Sequence, residues 1–242
     1  MSANRTIFLP VILLASLHLS GCASTSPNSN PHDPYEGFNR SMYSFNDTLD
    51  RAILKPVAVG YNTVLPVPAR NMLHNFFSNI DDILVTANDL LQLKFARASH
   101  DFTRVWVNSI FGVFGLFDVA HNLEKHNEDF GQTLGYWGVV SGPYLVLPFI
   151  GPSSVRDGTG LAVDSYYGVI ENTPEIPTRN GLYVTNKIDQ RAQLLDAEKV
   201  VEDTLLDRYS YIRDAYQMRR QSLVYDGDPP RVKYDDEDDD EK

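Results

Sequence analysis

An all-α fold is predicted by three observations. Large apolar residues recur at steps of three and four along most of the chain, the mark of helices with one apolar face. No segment alternates apolar and polar residues convincingly over strand length, and there is no internal repeat. The third observation is the stretch from Phe130 to Val155, 26 residues without a charged side chain but with five glycines and three prolines. A bilayer core takes roughly 20 apolar residues as a helix, so the stretch is long enough to span. Pro143 and Pro148 each remove a backbone donor and crowd the preceding turn, which disfavours an uninterrupted helix. It reads as a glycine-rich hairpin. At membrane depth such backbone survives only where protein buries it or where it lines a water-filled cavity.

The N-terminus reads as an export signal. Arg5 precedes a 13-residue apolar run, Ile7 to Leu19, the size of a signal-peptide core and too short to span. It ends in Leu19-Ser20-Gly21-Cys22, which looks like a bacterial lipobox: residues 1–21 are the expected signal peptide and Cys22 the lipidated residue. Cys22 is also the sole cysteine, so an exported chain would otherwise carry one odd thiol and no disulfide. Ala23 in place of aspartate points to the outer membrane, with several acyl chains giving stable anchoring. Residues 22–32, rich in Ser, Asn and Pro, are expected to be a flexible tether.

The elements follow in order. Asp33, Pro34 and Glu36 have capping-box spacing for a first helix, with Tyr35, Phe38, Met42, Phe45 and Leu49 on one stripe and Pro56 as its stop. Pro68 opens a second region, in which Met72 to Leu91 keeps the helical period through two consecutive segments. Ser99 is the expected cap of a third, with Phe102, Val105, Trp106, Ser109, Ile110 and Val113 on one face. The run Ile110 to Phe117 is apolar all round, too short to span, and reads as half-inserted or as core. A charged connector, His121 to Asp129, leads into the uncharged hairpin. Past it, Ser153 to Asp164 turns into a short helix, and helix dominates again from Asn180. Thr185, Ile188, Ala192 and Leu195 share one face there, followed by a stripe through Val201, Leu205, Tyr209 and Ile212.

Composition narrows the function. The formal charge is -11, of which about -6 lies in residues 226–242, an expected disordered acidic tail. No basic face argues for nucleic acid. Gly138-Val-Val-Ser141-Gly142 is one residue too long for a nucleophile elbow, and Gly158-Thr-Gly160 is not a dinucleotide fingerprint. His121 and His126 near Glu124, Glu128 and Asp129 fit no standard ligand pattern. The expectation is therefore no catalytic residue, no metal and no cofactor. Gly131 and Gly135, like Gly138 and Gly142, have the spacing that lets helices approach closely. With Pro143 they suggest a bendable element. Arg156 and Asp157, at its charged edge, read as a local ion pair or as a polar lining for a headgroup path.

Many short motifs resemble one family. Asp33-Pro-Tyr-Glu-Gly-Phe-Asn-Arg40, Met42-Tyr43-Ser-Phe45-Asn46, Lys55-Pro-Val-Ala58, Pro68-Ala-Arg-Asn71, Phe102-Thr-Arg104, Asp118-Val-Ala120, Thr133-Leu-Gly135, Gly142-Pro-Tyr144, Leu147-Pro-Phe149 and Arg156-Asp157 stand in the order seen in the MlaA (VacJ) lipoproteins. The resemblance covers Asp33 to Tyr216, with residues 33–225 as the expected domain. It implies a compact, ring-like helical domain sunk in one leaflet of the outer membrane. Such a domain removes misplaced phospholipids from the outer leaflet and passes them to a soluble periplasmic carrier (MlaC-like), beside a trimeric porin. It further implies that Gly138 is a hinge glycine, with Gly142 and Pro143 sharing that role because the family's next small position is Val140 here. Phe45 and Asn46 match a segment that influences gating. Two rivals differ in kind. A lipoprotein hydrolase acting on lipid or peptidoglycan would show turnover when purified, and a purely structural porin scaffold would carry no lipid.

Overall fold

The computed structural model describes residues 33–202 and 207–230. Cys22, the signal peptide, the tether, Leu205 and residues 231–242 of the acidic tail lie outside the described residues. The predicted all-α character holds, with helices α1 (Glu36–Leu49), α2 (Lys55–Val64), α3 (Val67–Leu91), α4 (Phe95–Ile110), α5 (Phe130–Tyr136), α6 (Val155–Tyr167), α7 (Ile176–Glu202) and α8 (Arg208–Val224). The hairpin expected in the uncharged stretch is there, and the one departure is that its arms pair as antiparallel strands, β1 (Tyr144–Leu147) with β2 (Gly151–Ser154). Tyr144 pairs with Ser154 and Leu147 with Gly151. Four-residue strands with Gly and Pro among them are too short to show a period of two, so the sequence hid them.

Several boundaries differ from expectation. Pro56 does not stop the first helix. A π-helical turn, Asp50–Leu54, joins α1 to α2, and the Lys55 amide reaches back to the Asp50 carbonyl. The wider turn shifts the carbonyls ahead of Pro56, so the ring fits without ending the column. Asp33 is not a cap: α1 starts at Glu36 without a side-chain cap. Asp33 is instead fully buried, accepting from Asn39 Nδ2 at 2.8 Å and from the Tyr209 hydroxyl. The two segments expected between Pro68 and Leu91 are the single 25-residue α3. α4 begins at Phe95, so Ser99 lies inside it and donates to the Ala96 carbonyl rather than capping.

Burial is inverted relative to a soluble helical domain. The fully buried side chains are mostly polar: Asp33, Asn39, Asp82, Asp89, Gln92 and Asp101. α4 shows it most plainly. It buries Ala98, Asp101, Arg104 and Asn108, while the stripe expected to be core points outward, with Phe102 58% and Trp106 51% exposed. Past its end Phe111 and Phe114 are 64% and 77% exposed. Their periodicity was legible; its direction was not. A helix with a charged inner face and an aromatic outer face suits an apolar solvent outside.

Ionic contacts hold the inner faces together. Arg104 lies 3.3 Å from Asp82 and 3.2 Å from Asp118, and donates to the Ala120 and Leu123 carbonyls, while Lys125 also reaches Asp82. The connector from Asp118 to Lys125 is thereby laced onto α3 and α4. Among the described residues, buried apolar side chains form small clusters: Ala58, Ala192 and Leu195 with Tyr61 between α2 and α7, and Tyr144, Val146 and Tyr209 beside the hairpin.

Candidate functional site

The uncharged stretch is built in three parts. First, Asp129 caps α5, its Oδ1 accepting from the Gln132 amide at 2.8 Å. α5 then ends on Gly138, which has φ +87°. The Gly138 amide bonds to the Gly135 carbonyl and the Val139 amide to the Leu134 carbonyl, both at 2.9 Å. This is the paired helix-ending motif that favours glycine at that position. Second, Gly142 at φ +68° and Pro143 lead into β1. Third, β2 runs into Ser154, whose hydroxyl accepts from the Asp157 amide and caps α6.

Two asparagines of α1, two turns apart, bind the hairpin backbone. Asn39 Nδ2 donates to the Tyr144 carbonyl at 3.0 Å and its Oδ1 accepts from the Val146 amide at 2.9 Å. Asn46 repeats this with the Leu147 carbonyl at 2.9 Å and the Phe149 amide at 2.8 Å. Each side-chain amide thus takes the place of a neighbouring strand along the open edge of β1. The Phe45 ring meets Phe149 edge-on at 5.4 Å. Phe45 and Asn46 are therefore the seat of the hairpin's tip.

The hairpin approach, α6 and α8 enclose an open cleft of about 780 Å³. Gly138, Gly142 and Pro143 line it with Val139, Val140 and Ser141, and α8 contributes Gln217, Met218 and Val224. Arg156 and Arg220 supply its positive charge. Asp157 is not among the lining residues. It is buried behind them, accepting from Arg156 Nε at 2.9 Å, Arg220 Nη2 at 3.0 Å and the Tyr216 hydroxyl at 2.6 Å. The two predicted polar residues therefore have different places: Arg156 faces the cleft and Asp157 fixes it. Burial alone would push the Asp157 carboxyl up, but the Tyr216 and Arg156 hydrogen bonds and the nearby guanidinium charges outweigh it and hold it below the usual range. Arg220 also grips Asp129, its Nη2 at 2.9 Å from Oδ1.

A second, smaller cleft of about 390 Å³ lies between α3 and α8, lined among others by Asp81, Leu84, Gln132 and Leu223. Tyr216 and Arg220 border both clefts. Neither residue, nor Asn39, was singled out for a role from the sequence. An arginine in a polar helical run such as Arg219-Arg220 shows nothing of its burial until α8 is packed.

Close backbone approach fixes the geometry. A Cβ on Gly160 of α6 would fall 2.3 Å from the Gly131 amide nitrogen of α5, so the two helices touch backbone to backbone. The spacing of Gly131 and Gly135 had pointed to close helix approach. The partner is a glycine the sequence offered only as a failed dinucleotide motif. The lining is thus mixed: Arg156 and Arg220 against one carboxylate, Asp214, with Ser141, Gln217 and Gln221, and with aliphatic, aromatic and thioether side chains. Such a surface suits an amphiphile with an anionic head. Among the described residues no helix is long and apolar enough to cross a membrane.

Known proteins bear on this directly. Residues 31–223 match the family model described as MlaA lipoprotein. The chain is 38% identical over 229 residues to the intermembrane phospholipid transport system lipoprotein MlaA of Escherichia coli (strain K12), covering 91% of this chain and 90% of that one. It is 33% identical over 232 residues to the protein of the same description from Haemophilus influenzae, covering 92% of each. A solved structure described as "Structural basis for maintenance of bacterial outer membrane lipid asymmetry" superposes with a TM-score of 0.70 at 36% identity, over 79% of this chain and 98% of that one. The chain belongs to the MlaA lipoprotein family.

Proposed function

We propose that this protein takes phospholipids out of the outer leaflet of the outer membrane and passes them inward, maintaining lipid asymmetry. The observation that carries the reading is the inverted burial: charged and amide groups inside, an aromatic face outside, and a cleft of mixed lining bordered by the hairpin. Moving a lipid head through a leaflet requires relief of its desolvation, several kcal/mol even when partly compensated. Arg156 and Arg220 offer that relief in the cleft, and the apolar outer face keeps the protein in the leaflet. Cys22 carries the lipid anchor, in the periplasmic leaflet. The hairpin through Gly138, Gly142 and Pro143 acts as a movable wall, seated on Phe45 and Asn46. The protein sits beside a trimeric porin and gives its lipid to a soluble carrier of the MlaC kind. It acts as a conduit without catalytic turnover.

Deleting the gene tests this. Outer-leaflet phospholipid is read as acyl transfer onto lipid A by a surface acyltransferase. The deletion is expected to raise that product severalfold, the wild-type gene to restore it, and Cys22→Ser to fail to restore it. No rise, in cells where the acyltransferase is active, contradicts the transport reading.

A further inference from the structure

Away from the cleft lining, three residues from three segments converge. Asp89 lies in the last turn of α3, Asp101 in α4, and His126 in the connector before α5. One donor atom of each, two carboxylate oxygens and an imidazole nitrogen, lie within 4.8 Å of one another. Asp89 and Asp101 are fully buried. His126 Nδ1 stands 2.8 Å from Asp101 Oδ2. Neither oxygen of Asp89 has a hydrogen-bond partner. A buried carboxylate without a donor is costly, since it has lost its water and gained nothing.

The surrounding charges do not neutralise it. Glu128 adds to the negative field at Asp89. The nearest cations are engaged elsewhere: Lys94 and Arg97 each contact both Glu128 and Asp226. His126 offers at most one positive charge, and it is directed at Asp101. The pocket therefore has an excess of negative charge with one carboxylate unserved.

We propose that Asp89, Asp101 and His126 bind a divalent cation of the zinc class. Two carboxylates and one imidazole form an O,O,N donor set that suits zinc, and ligand bonds of about 2.0–2.2 Å place ligand atoms within the span seen here. His126 would bind through Nδ1, which leaves its Nε2 on the side of Glu124, whose Oε2 lies 4.0 Å away. The ion would tie α3, α4 and the connector together two residues before Glu128, which accepts from Gln92 at 2.9 Å. Gln92 also donates to Thr133 of α5 at 3.1 Å. It would thus brace α5, which leads into the hairpin. This revises the expectation of no metal. The sequence offered no ligand set for His126, because the two carboxylates it meets lie on helices 25 and 37 residues away.

A shared proton is the competing way to relieve the pair, because burial and the facing Asp101 both push the Asp89 carboxyl up. Full-length protein, purified in detergent and stripped with chelator, separates the two. Zinc titration by calorimetry is expected to show one tight equivalent, with an unfolding midpoint raised by several degrees. Asp89→Asn removes an unserved charge and so should fold at least as well without metal, yet lose both effects, as should His126→Gln. Absent zinc uptake, or uptake unchanged in both variants, overturns the proposal. So does a midpoint indifferent to zinc that rises on acidification in wild type but not in Asp89→Asn, which assigns the pair to a shared proton.

Discussion

Arg220 is the residue on which the cleft wall depends. It holds Asp129 at the start of α5 and Asp157 at the start of α6, and borders both clefts. Removing one partner of a buried ion pair leaves the other charge uncompensated, typically 3–5 kcal/mol. Asp157 keeps Arg156 and Tyr216, so Arg220→Met is expected to cost less, about 2–3 kcal/mol, in denaturant unfolding. The acid limb follows from the same contacts. The folded pKa of Asp157 is depressed, so its contribution is present above the unfolded value of about 3.9 and lost as pH falls through the folded value. Stability should therefore decline below about pH 4, less steeply in Arg220→Met than in wild type. An unchanged acid slope would remove Arg220 from this role. Gly160 gives a second prediction. Gly160→Ala puts a methyl group against the α5 backbone and should cost at least about 2 kcal/mol. Gly181→Ala in α7, where nothing lies within 4 Å of the added Cβ, should be neutral or stabilise by up to about 1 kcal/mol. Equal effects at both sites would show that α5 and α6 yield to one another.

At the scale of elements, helices were legible and their facing was not. The three-and-four spacing on α1, α3 and α4 located apolar stripes correctly. On α4 that stripe is the outer face, because Asp101, Arg104 and Asn108 find charged or amide partners inside while the aromatics do not. Apolar periodicity identifies a stripe but not the solvent it faces. Pro56 misled because a π-turn absorbs it, a solution that depends on the whole α1–α2 column. In the hairpin, Gly138, Gly142 and Pro143 were found by composition, whereas the two-asparagine clasp was visible only as motif letters. That clasp is testable. Asn46→Leu favours the helix and removes both hydrogen bonds to the Leu147–Phe149 backbone, each worth about 0.5–1.5 kcal/mol net. Amide exchange over Val146 to Ile150 should quicken by about tenfold, with the exchange of α3 unchanged. Unaltered exchange at the tip would mean that the tip is held without Asn46.

For the whole molecule, two stretches of the sequence point to a membrane: a lipobox-like Cys22 and an uncharged stretch rich in Gly and Pro. The inverted packing could not be read there, because buried Asp, Asn and Gln look like surface residues until they are paired. Inside, those groups build a polar frame; outside, Phe102, Trp106 and Phe114 face what must be an apolar medium. Transport requires that lipid enter the cleft rather than only surround the frame. Photocrosslinking side chains placed singly at Gln217 and Val139, which line the cleft, and at Phe102 and Trp106 on the outer face test it in cells with labelled phospholipid. The account predicts phospholipid adducts at Gln217 and Val139, increased when outer-leaflet phospholipid is raised by chelator treatment. Adducts confined to Phe102 and Trp106, with none from either cleft position in stably folded protein, would contradict it.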